Sequence, residues 1–201
     1  MIKIKKIVVA TNNINKLKEI KEIFKEYELL SLKDINCNIE VEEDGKTFEE
    51  NAKKKAGKIA KITNLPVLAD DSGLCIKALD DWPGVYTDRF LGENATSEQK
   101  NQAILDKMKN LKEEDRKAKV VCVMAYCENR EFIVAKGEVN GKITQKPRGK
   151  SGFGFDPIFE IENGKTYAEI SEEEKNKISH RKKALENLQK QLTNLVKYGK
   201  I

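Results

Sequence analysis

The chain has 201 residues, of which 39% are hydrophobic and 35% charged, and its formal net charge is +5. This composition is too apolar for a disordered protein and supplies enough apolar surface for a core. No apolar run reaches the roughly 18–20 residues that span a bilayer, and the first ten residues lack the pattern of a signal peptide. We therefore expect a cytoplasmic protein with a single domain over 1–201.

The basic residues are mostly lysines interspersed with glutamates. Proteins that bind duplex nucleic acid more often show a concentrated basic stripe, whereas a small polyanion such as a triphosphate needs only a few basic groups in one place. The cysteines include no C-x-x-C pair, so neither a zinc site nor a redox motif is indicated, and buried free thiols are expected. The cysteines are Cys37, Cys75, Cys122 and Cys127.

Strands and helices alternate in the first half of the chain, as judged from the hydrophobic period. In chain order they are a buried strand, two helices and two short strands, predicted over 4–10, 15–27, 47–62, 67–69 and 74–78. Thr47 and Glu50 have the spacing of a capping box at the start of the second helix. The two short strands are expected on either side of an Asp-Asp-Ser-Gly turn at 70–73.

The second half begins with a predicted helix over 97–108 and continues with a hairpin. Its strands are expected over 119–126 and 132–139, joined by a turn at 128–130. After a short strand at 155–160, a C-terminal helix is predicted from an apolar stripe comprising Ile178, Leu185, Leu188, Leu192 and Leu195. Strand–helix alternation followed by a hairpin predicts an α/β fold with a mixed sheet.

Two adjacent carboxylates, Asp70 and Asp71, follow the apolar run 65–68 and are therefore expected at the end of a strand. Buried charge is costly unless it is paired or bound to metal, and divalent cations take hard oxygen ligands. A cation site is one interpretation of this pair. The alternative is a plain turn, because Asp, Ser and Gly all favour turns.

The polar segment from Thr11 to Lys16 connects the first strand to the first helix. Such a connection offers backbone N–H groups and the positive end of the helix dipole, both suited to phosphate. The alternative is an Asn-rich turn that caps the helix. Further along, the acidic segment 40–44 precedes the second helix, which carries lysines at 53–55. One of these carboxylates joins Asp71 on a metal in the functional interpretation, while the alternative is a solvated loop.

Glycines at 149, 152 and 154 allow backbone conformations that other residues rarely adopt. Between and beside them, Phe153 and Phe155 offer aromatic faces on which a base could stack. The alternative is a Gly-rich connection whose aromatic residues belong to the core.

The only histidine, His180, precedes Arg181 near a predicted helix start at Ser179. These two side chains could face a purine or an anion. The alternative is an exposed histidine at the start of an amphipathic helix.

Taken in order, these segments resemble the inosine/xanthosine triphosphate pyrophosphatase family, whose members clear non-canonical purine nucleotides from the nucleotide pool. The similarity runs over 10–184, and one departure is Asn15, where many family members have glycine. The matching segments are T-N-N-x-x-K at 11–16, E-E-D-G-K-T-F-E-E-N-A at 42–52, A-D-D-S-G-L at 69–74, P-G-V-Y-T-D-R-F at 83–90, S-G-F-G-F-D-P-I-F at 151–159 and E-K-x-x-I-S-H-R at 174–181.

The resemblance implies an α/β fold with a long central mixed β-sheet flanked by helices, in two lobes with an active-site cleft between them. It also implies a homodimer with no stable nucleic-acid partner and no membrane attachment. The implied reaction is Mg²⁺-dependent hydrolysis of ITP, dITP or XTP to the nucleoside monophosphate and pyrophosphate. Apolar and aromatic residues at 82–86 are suited to the dimer interface, although Trp82 could instead pack in the core.

By the same resemblance, Asp71 is a metal ligand and the general base, and Glu43 completes the metal site. The implied substrate-binding residues are Thr11, Asn12, Asn13, Ile14, Asn15, Lys16, Lys55, Ser72, Phe153, Gly154, Phe155, Asp156, Lys175, His180 and Arg181. Two rival interpretations stay open. One is a related pyrophosphatase that acts on other modified or canonical nucleotides. The other is a nucleic-acid-binding module, for which affinity would fall steeply with salt and need no metal.

Overall fold

The computed structural model describes residues 6–92 and 94–197, which form seven strands and five α-helices. The predicted first strand included residues 4 and 5, which lie outside the described residues. Strands β1 to β7 are Lys6–Val9, Glu28–Ser31, Val67–Ile76, Trp82–Pro83, Lys117–Glu128, Glu131–Ile143 and Phe159–Glu160. Helices α1 to α5 are Ile14–Ile23, Phe48–Thr63, Ser97–Lys107, Glu172–Ile178 and His180–Lys197.

The strands form one mixed sheet in the order β2-β1-β3-β5-β6-β7, with β4 paired to β3. Strand β1 runs parallel to both neighbours, with Val9 opposite Leu68 of β3. Strands β4 and β7 are antiparallel to β3 and β6. The expectation of an α/β fold built on a central mixed sheet is thus confirmed.

The predicted turn between two short strands at 70–73 is wrong, because residues 67–76 form the single strand β3 and all ten are buried. The first part of β3 pairs with β1 at Leu68, and its last part pairs with β4 at Cys75. Strand β5 is the neighbour of β3 on the side away from β1. Pairing with these neighbours holds the polar middle extended, and this tertiary context overrides the turn preference of Asp, Ser and Gly. Asp70 and Asp71 therefore lie in the middle of a buried strand and not at its end.

The C-terminal stripe is also divided differently from the prediction. Ile178 ends α4 and is 40% exposed, and Ser179 in extended conformation separates α4 from α5. On α5, the stripe residues Leu185, Leu188 and Leu192 are buried as expected, whereas Leu195 is partly exposed. The break at Ser179 therefore removes Ile178 from the apolar face.

Three smaller differences concern element ends. Helix α1 ends at Ile23 rather than at 27, and the strand predicted over 155–160 is reduced to its last two residues. Thr47 caps α2 as predicted, since its side chain accepts from the Glu50 N–H, but the Glu50 carboxylate accepts from the Lys46 N–H instead of completing the box. The hairpin is confirmed with longer strands, and both turn residues, Asn129 and Arg130, have positive φ.

The chain divides into two compact units. The first comprises residues up to Asp71, 122–137 and the segment from Arg181 onwards; the second comprises 72–121 and 138–180. Each unit has its own core. In the first, residues of β1, β3 and β5 pack with α1 and α5, among them Ile7, Ile20, Leu68, Met124, Leu185 and Leu188. In the second, the core includes Leu74, Ile104, Met108, Val120, Phe159 and Tyr167.

All four cysteines are free thiols; three are buried as expected, while Cys37 is partly exposed. Within residues 6–92 and 94–197, no helix combines the length and the hydropathy needed to cross a membrane.

Candidate active site

Asp70 and Asp71 face different helices of the first unit, because successive residues of a strand point to opposite sides of the sheet. Asp70 contacts Arg181 at the start of α5. Asp71 contacts Asn51 on α2. The two adjacent carboxylates thus have different hydrogen-bond partners, although the charges of Lys16 and Lys55 act on both.

A buried ion network surrounds Asp70. Arg181 donates through Nη2 to Asp70 Oδ2 at 3.1 Å and through Nη1 to the Glu19 carboxylate. Lys16 Nζ lies 3.8 Å from the same Asp70 oxygen. Burial opposes ionisation of Asp70, but the charges of Lys16 and Arg181 outweigh it and hold its pKa well below the usual range. Asp70 is consequently a permanent anion that neutralises buried cations.

Asp71 has the opposite shift. Burial raises its pKa to about 6; the charge of Lys55 opposes this rise, and the charge of Glu43 adds to it. Asn51 Nδ2 donates to Asp71 Oδ2 at 2.8 Å. A carboxylate with a pKa close to neutrality is a better proton acceptor than an ordinary aspartate.

The carboxylates of the acidic segment before α2 differ in their partners and in their exposure. Glu43 is partly buried, forms an ion pair with Lys55 and acts on Asp71 electrostatically. Asp44 instead pairs with the exposed Lys54 at 2.5 Å, and Glu42 is exposed. Glu43 is thus the carboxylate of this segment that shares an environment with Asp71.

At the start of α1, the capping interpretation holds for Asn13. Its Oδ1 accepts from the N–H groups of Asn15 and Lys16, at 3.0 and 3.2 Å. The Thr11 hydroxyl accepts from the Asn13 N–H at 3.1 Å. Asn12, Ile14 and Asn15 are exposed, whereas Lys16 is buried. The segment therefore presents a solvent-accessible polar surface with one buried cation behind it.

The second unit contains a buried ion pair between Asp156 and Lys175. Lys175 Nζ donates to Asp156 Oδ2 at 2.7 Å, and the same oxygen accepts from the Phe153 N–H at 2.8 Å. Lys175 Nζ also lies 4.5 Å from the centroid of the Phe153 ring. At Gly152, where φ is +77°, a Cβ atom would lie 2.0 Å from Asp156 Oδ2. The glycine is therefore required by both conformation and space.

Aromatic rings extend this cluster. The His180 ring lies 6.2 Å from the rings of both Phe155 and Tyr167. Asn101 Nδ2 donates to the Gly154 carbonyl oxygen at 2.9 Å. His180 is buried, so the alternative of an exposed histidine is wrong.

The expected site residues thus fall into two groups. The segment 11–16 joins Glu43, Lys55, Asp71 and Arg181 in the first unit. The segment 153–156 joins Lys175 and His180 in the second unit, to which Ser72 also belongs. Arg181 makes its contacts with Glu19 and Asp70 although it follows His180 directly in sequence.

Sequence reasoning gave no role to four polar or aromatic residues of these groups, namely Glu19, Asn51, Asn101 and Tyr167. Asn51 lies within the matched segment 42–52, so a signal for it was present. Glu19 is one turn after Lys16 on α1, which offered only a weak indication. Nothing in the sequence pointed to Asn101 or Tyr167.

The donor set at Asp71 fits Mg²⁺ shared with a substrate rather than a closed protein site. No group of three or more His, Cys, Asp or Glu side chains suited to a metal occurs in the part of the chain that the structure describes. Mg²⁺ is usually held by one or two carboxylates together with phosphate oxygens and water. Asp71 and Glu43 supply such a pair, and the raised pKa of Asp71 reflects burial and a neighbouring negative charge that a cation would offset.

The fold and these contacts define an α/β protein whose buried cations and paired carboxylates suit an anionic ligand that carries a divalent cation. The chain belongs to the Ham1 family, since the sequence model of that family matches residues 7–191. The resemblance inferred from the motifs is thereby confirmed.

Known relatives match nearly the whole chain. The dITP/XTP pyrophosphatase of Geobacter sulfurreducens is 49% identical, with 90% of this chain and 92% of the relative covered. The protein of the same name from Clostridium perfringens is 45% identical, with 96% and 100% covered. Among solved structures, the Staphylococcus aureus Ham1 protein is 42% identical with a TM-score of 0.85, covering 94% of this chain and 99% of that one. A HAM1 protein from Coxiella burnetii, also 42% identical, has a TM-score of 0.86 and coverages of 95% and 100%.

Proposed function

We propose that the chain is a nucleoside triphosphate pyrophosphohydrolase that converts dITP, XTP and ITP to the nucleoside monophosphate and pyrophosphate with Mg²⁺. The observation that carries the proposal is the environment of Asp71: a buried carboxylate with a pKa of about 6, beside the carboxylate of Glu43 and the ammonium of Lys55. The names of the relatives from Geobacter sulfurreducens and Clostridium perfringens support the substrate class.

The two groups of site residues suggest a division of roles. Thr11–Lys16 and Lys55 bind the triphosphate, because they combine a helix start with two ammonium groups. The group around Phe153 binds the nucleoside, because it combines aromatic faces with hydrogen-bonding side chains. Besides Phe153, that group comprises Gly154, Phe155, Asp156, Lys175 and His180, and we also assign Ser72 and Arg181 to substrate binding.

The proposed chemistry is in-line attack of water on the α-phosphorus. Asp71 orients the water and accepts its proton while the oxygen bonds to phosphorus; the bond from phosphorus to the bridging oxygen breaks, and pyrophosphate leaves with the electron pair. Lys16 and Lys55 stabilise the charge that develops on the phosphates. Asp71 and Glu43 would hold Mg²⁺, which would supply positive charge to neutralise the triphosphate.

A nucleotide panel with Mg²⁺ tests this function. Purified protein is incubated with ITP, dITP, XTP, ATP and GTP, and pyrophosphate and orthophosphate are measured separately. We expect pyrophosphate and the monophosphate, fastest from ITP, dITP or XTP, and none after chelation of the metal. Orthophosphate with a diphosphate product would refute attack at the α-phosphorus. Preference for another nucleotide would favour the related pyrophosphatase instead.

We also propose a homodimer with one catalytic domain per chain, located in the cytoplasm and without a stable nucleic-acid partner. Trp82 packs against Phe90 and the core of the second unit, which favours the core alternative for this residue. The exposed apolar side chains nearby are Tyr86 and Leu91, and these are suited to an interface. Light scattering should give twice the chain mass of 22.9 kDa; a monomer at micromolar concentration would exclude the dimer.

A further inference from the structure

Asn51 links β3 to the loop before α2 and is completely buried. Its Nδ2 donates to Asp71 Oδ2 at 2.8 Å, and its Oδ1 accepts from the Gly45 N–H at 2.8 Å. An ionised carboxylate only accepts and a backbone N–H only donates, so these two partners determine the orientation of the amide group. The side chain therefore makes one specific hydrogen bond in each direction.

The loop that carries Glu43 is fixed to α2 at two successive backbone amides. The Gly45 N–H donates to Asn51, and the Lys46 N–H donates to Glu50 Oε2 at 2.7 Å. At Gly45, a Cβ atom would lie 2.5 Å from Asn51 Oδ1. The close approach of the loop backbone to Asn51 therefore requires glycine, and the position of Glu43, two residues earlier, depends on this anchor.

Helix α2 has no need of a polar side chain at this position. Its N-cap is Thr47, whose hydroxyl accepts from the Glu50 N–H at 3.1 Å. A buried amide loses its hydration on folding, so an apolar side chain of similar size would suit packing alone. The amide of Asn51 is accounted for by its two partners, Asp71 and Gly45.

We propose that Asn51 is the positioning residue of the reaction: it fixes the carboxylate of Asp71 and holds the Glu43 loop beside it. The chemistry of this inference rests on the proposed function. Asn51 acts through Asp71, because a donor on Oδ2 restricts rotation of the carboxylate. Removing such an orienting partner typically lowers metal affinity or activity by 10- to 100-fold.

The test compares Asn51→Ala with Thr47→Ala, which removes the N-cap of the same helix and leaves the contacts of Asp71 in place. Two quantities are measured on full-length protein: kcat for dITP at saturating Mg²⁺, and binding of Mn²⁺ to the nucleotide-free protein, followed by electron paramagnetic resonance. We expect Asn51→Ala to lower kcat and Mn²⁺ affinity by about 10- to 100-fold. Thr47→Ala should lower only the unfolding temperature.

A purely structural role predicts another result: Asn51→Ala would then be destabilised like Thr47→Ala, with kcat and Mn²⁺ affinity within about threefold of wild type, and the proposal would be overturned. If Asn51→Ala does not fold, Asn51→Leu replaces it, since an apolar side chain of the same size fills the buried space and makes neither hydrogen bond. More than tenfold loss of kcat supports the proposal, and near-normal kcat refutes it. Wild-type protein that binds Mn²⁺ but hydrolyses no nucleotide would refute the proposed function, while the Mn²⁺ comparison would still test Asn51.

Discussion

Asp70 and Asp71 are consecutive residues of one buried strand whose carboxyl groups have pKa shifts of opposite sign. Asp70 lies among Lys16 and Arg181, which keep it ionised, whereas burial raises the pKa of Asp71 to about 6. Because successive side chains of a strand point to opposite sides of the sheet, the two carboxyl groups have different hydrogen-bond partners. One aspartate is thereby assigned to neutralising buried cations and the other is available for chemistry.

The variant Asp71→Asn should lose nearly all turnover, because an amide neither accepts the proton of water nor binds a cation as a carboxylate does. We expect less than a tenth of the wild-type rate, which corresponds to more than about 1.4 kcal/mol of activation free energy. Steady-state pyrophosphate release measures it, and circular dichroism serves as the folding control. Retention of a higher rate would remove Asp71 from the role of principal base.

The same variant should be more stable than the wild type in metal-free buffer at pH 7.5. The folded-state pKa of Asp71, about 6, exceeds the ordinary aspartate pKa of 3.8, so between these two pH values the folded protein binds more protons than the unfolded chain. The favourable contribution is full below pH 4 and is lost as pH rises through 6. Asp71→Asn avoids this loss, by about 1–3 kcal/mol. Urea unfolding in the presence of EDTA at pH 4 and 7.5 measures the free energy of unfolding of both proteins. The stability difference between variant and wild type should vanish at pH 4. A difference that is the same at both pH values would contradict the raised pKa of Asp71.

Glu43→Gln should raise the Mg²⁺ concentration needed for half-maximal activity, because the second carboxylate beside Asp71 becomes neutral. Glu42→Gln and Asp44→Asn are matched controls, since Glu42 is exposed and Asp44 pairs with Lys54. Titration of Mg²⁺ at fixed dITP measures the effect. If Glu43→Gln needs no more Mg²⁺ than the wild type while one of the controls needs more, the residue changed in that control is the metal ligand.

Arg181→Ala should destabilise the protein by about 3–5 kcal/mol, because the buried carboxylates of Glu19 and Asp70 lose the guanidinium between them. Arg181→Lys keeps the positive charge but lacks the planar guanidinium group, so it should lose less stability than Arg181→Ala. Denaturant unfolding compares the two. Equal stability of Arg181→Ala and wild type would contradict the buried network.

Gly152→Ala should weaken the site in the second unit. Its φ of +77° disfavours alanine, and the added Cβ would meet Asp156 Oδ2 at 2.0 Å. Gly164→Ala is the control, because φ there is +79° and nothing lies within 4 Å of the added Cβ. Both variants incur the backbone cost, so the excess loss of stability in Gly152→Ala and a raised KM for dITP report the contact with Asp156. Identical behaviour of the two variants would show that this contact is unimportant.

Local patterns predicted helices α1, α2, α3 and α5 and the hairpin, because apolar period and turn chemistry act over a few residues, whereas α4 was not predicted as a separate helix. Thr47 as N-cap and the turn at Asn129 were found in this way. The strand through Asp70 was missed because its conformation comes from pairing with other strands. Strands β1 and β5 are distant from it in sequence, and β4 has only two residues.

Most residues of the candidate site were predicted from the resemblance of sequence motifs to a known family, and few from the chemistry of the residues alone. The adjacent Asp70 and Asp71 pointed to a cation site, and Glu43 was selected from its acidic neighbours only through resemblance. Glu19 and Asn51 were missed because their importance arises from contacts with residues 162 and 20 positions away, respectively. No local pattern records such contacts.

Because β3 is continuous from Val67 to Ile76, insertions and deletions within it would disrupt the sheet. A single residue inserted between the paired positions Leu68 and Cys75 would rotate every following side chain to the other side of the sheet. An insertion between Asp70 and Asp71 would direct both carboxylates to the same helices. We therefore expect descendants of the chain to show neither insertions nor deletions between Leu68 and Cys75.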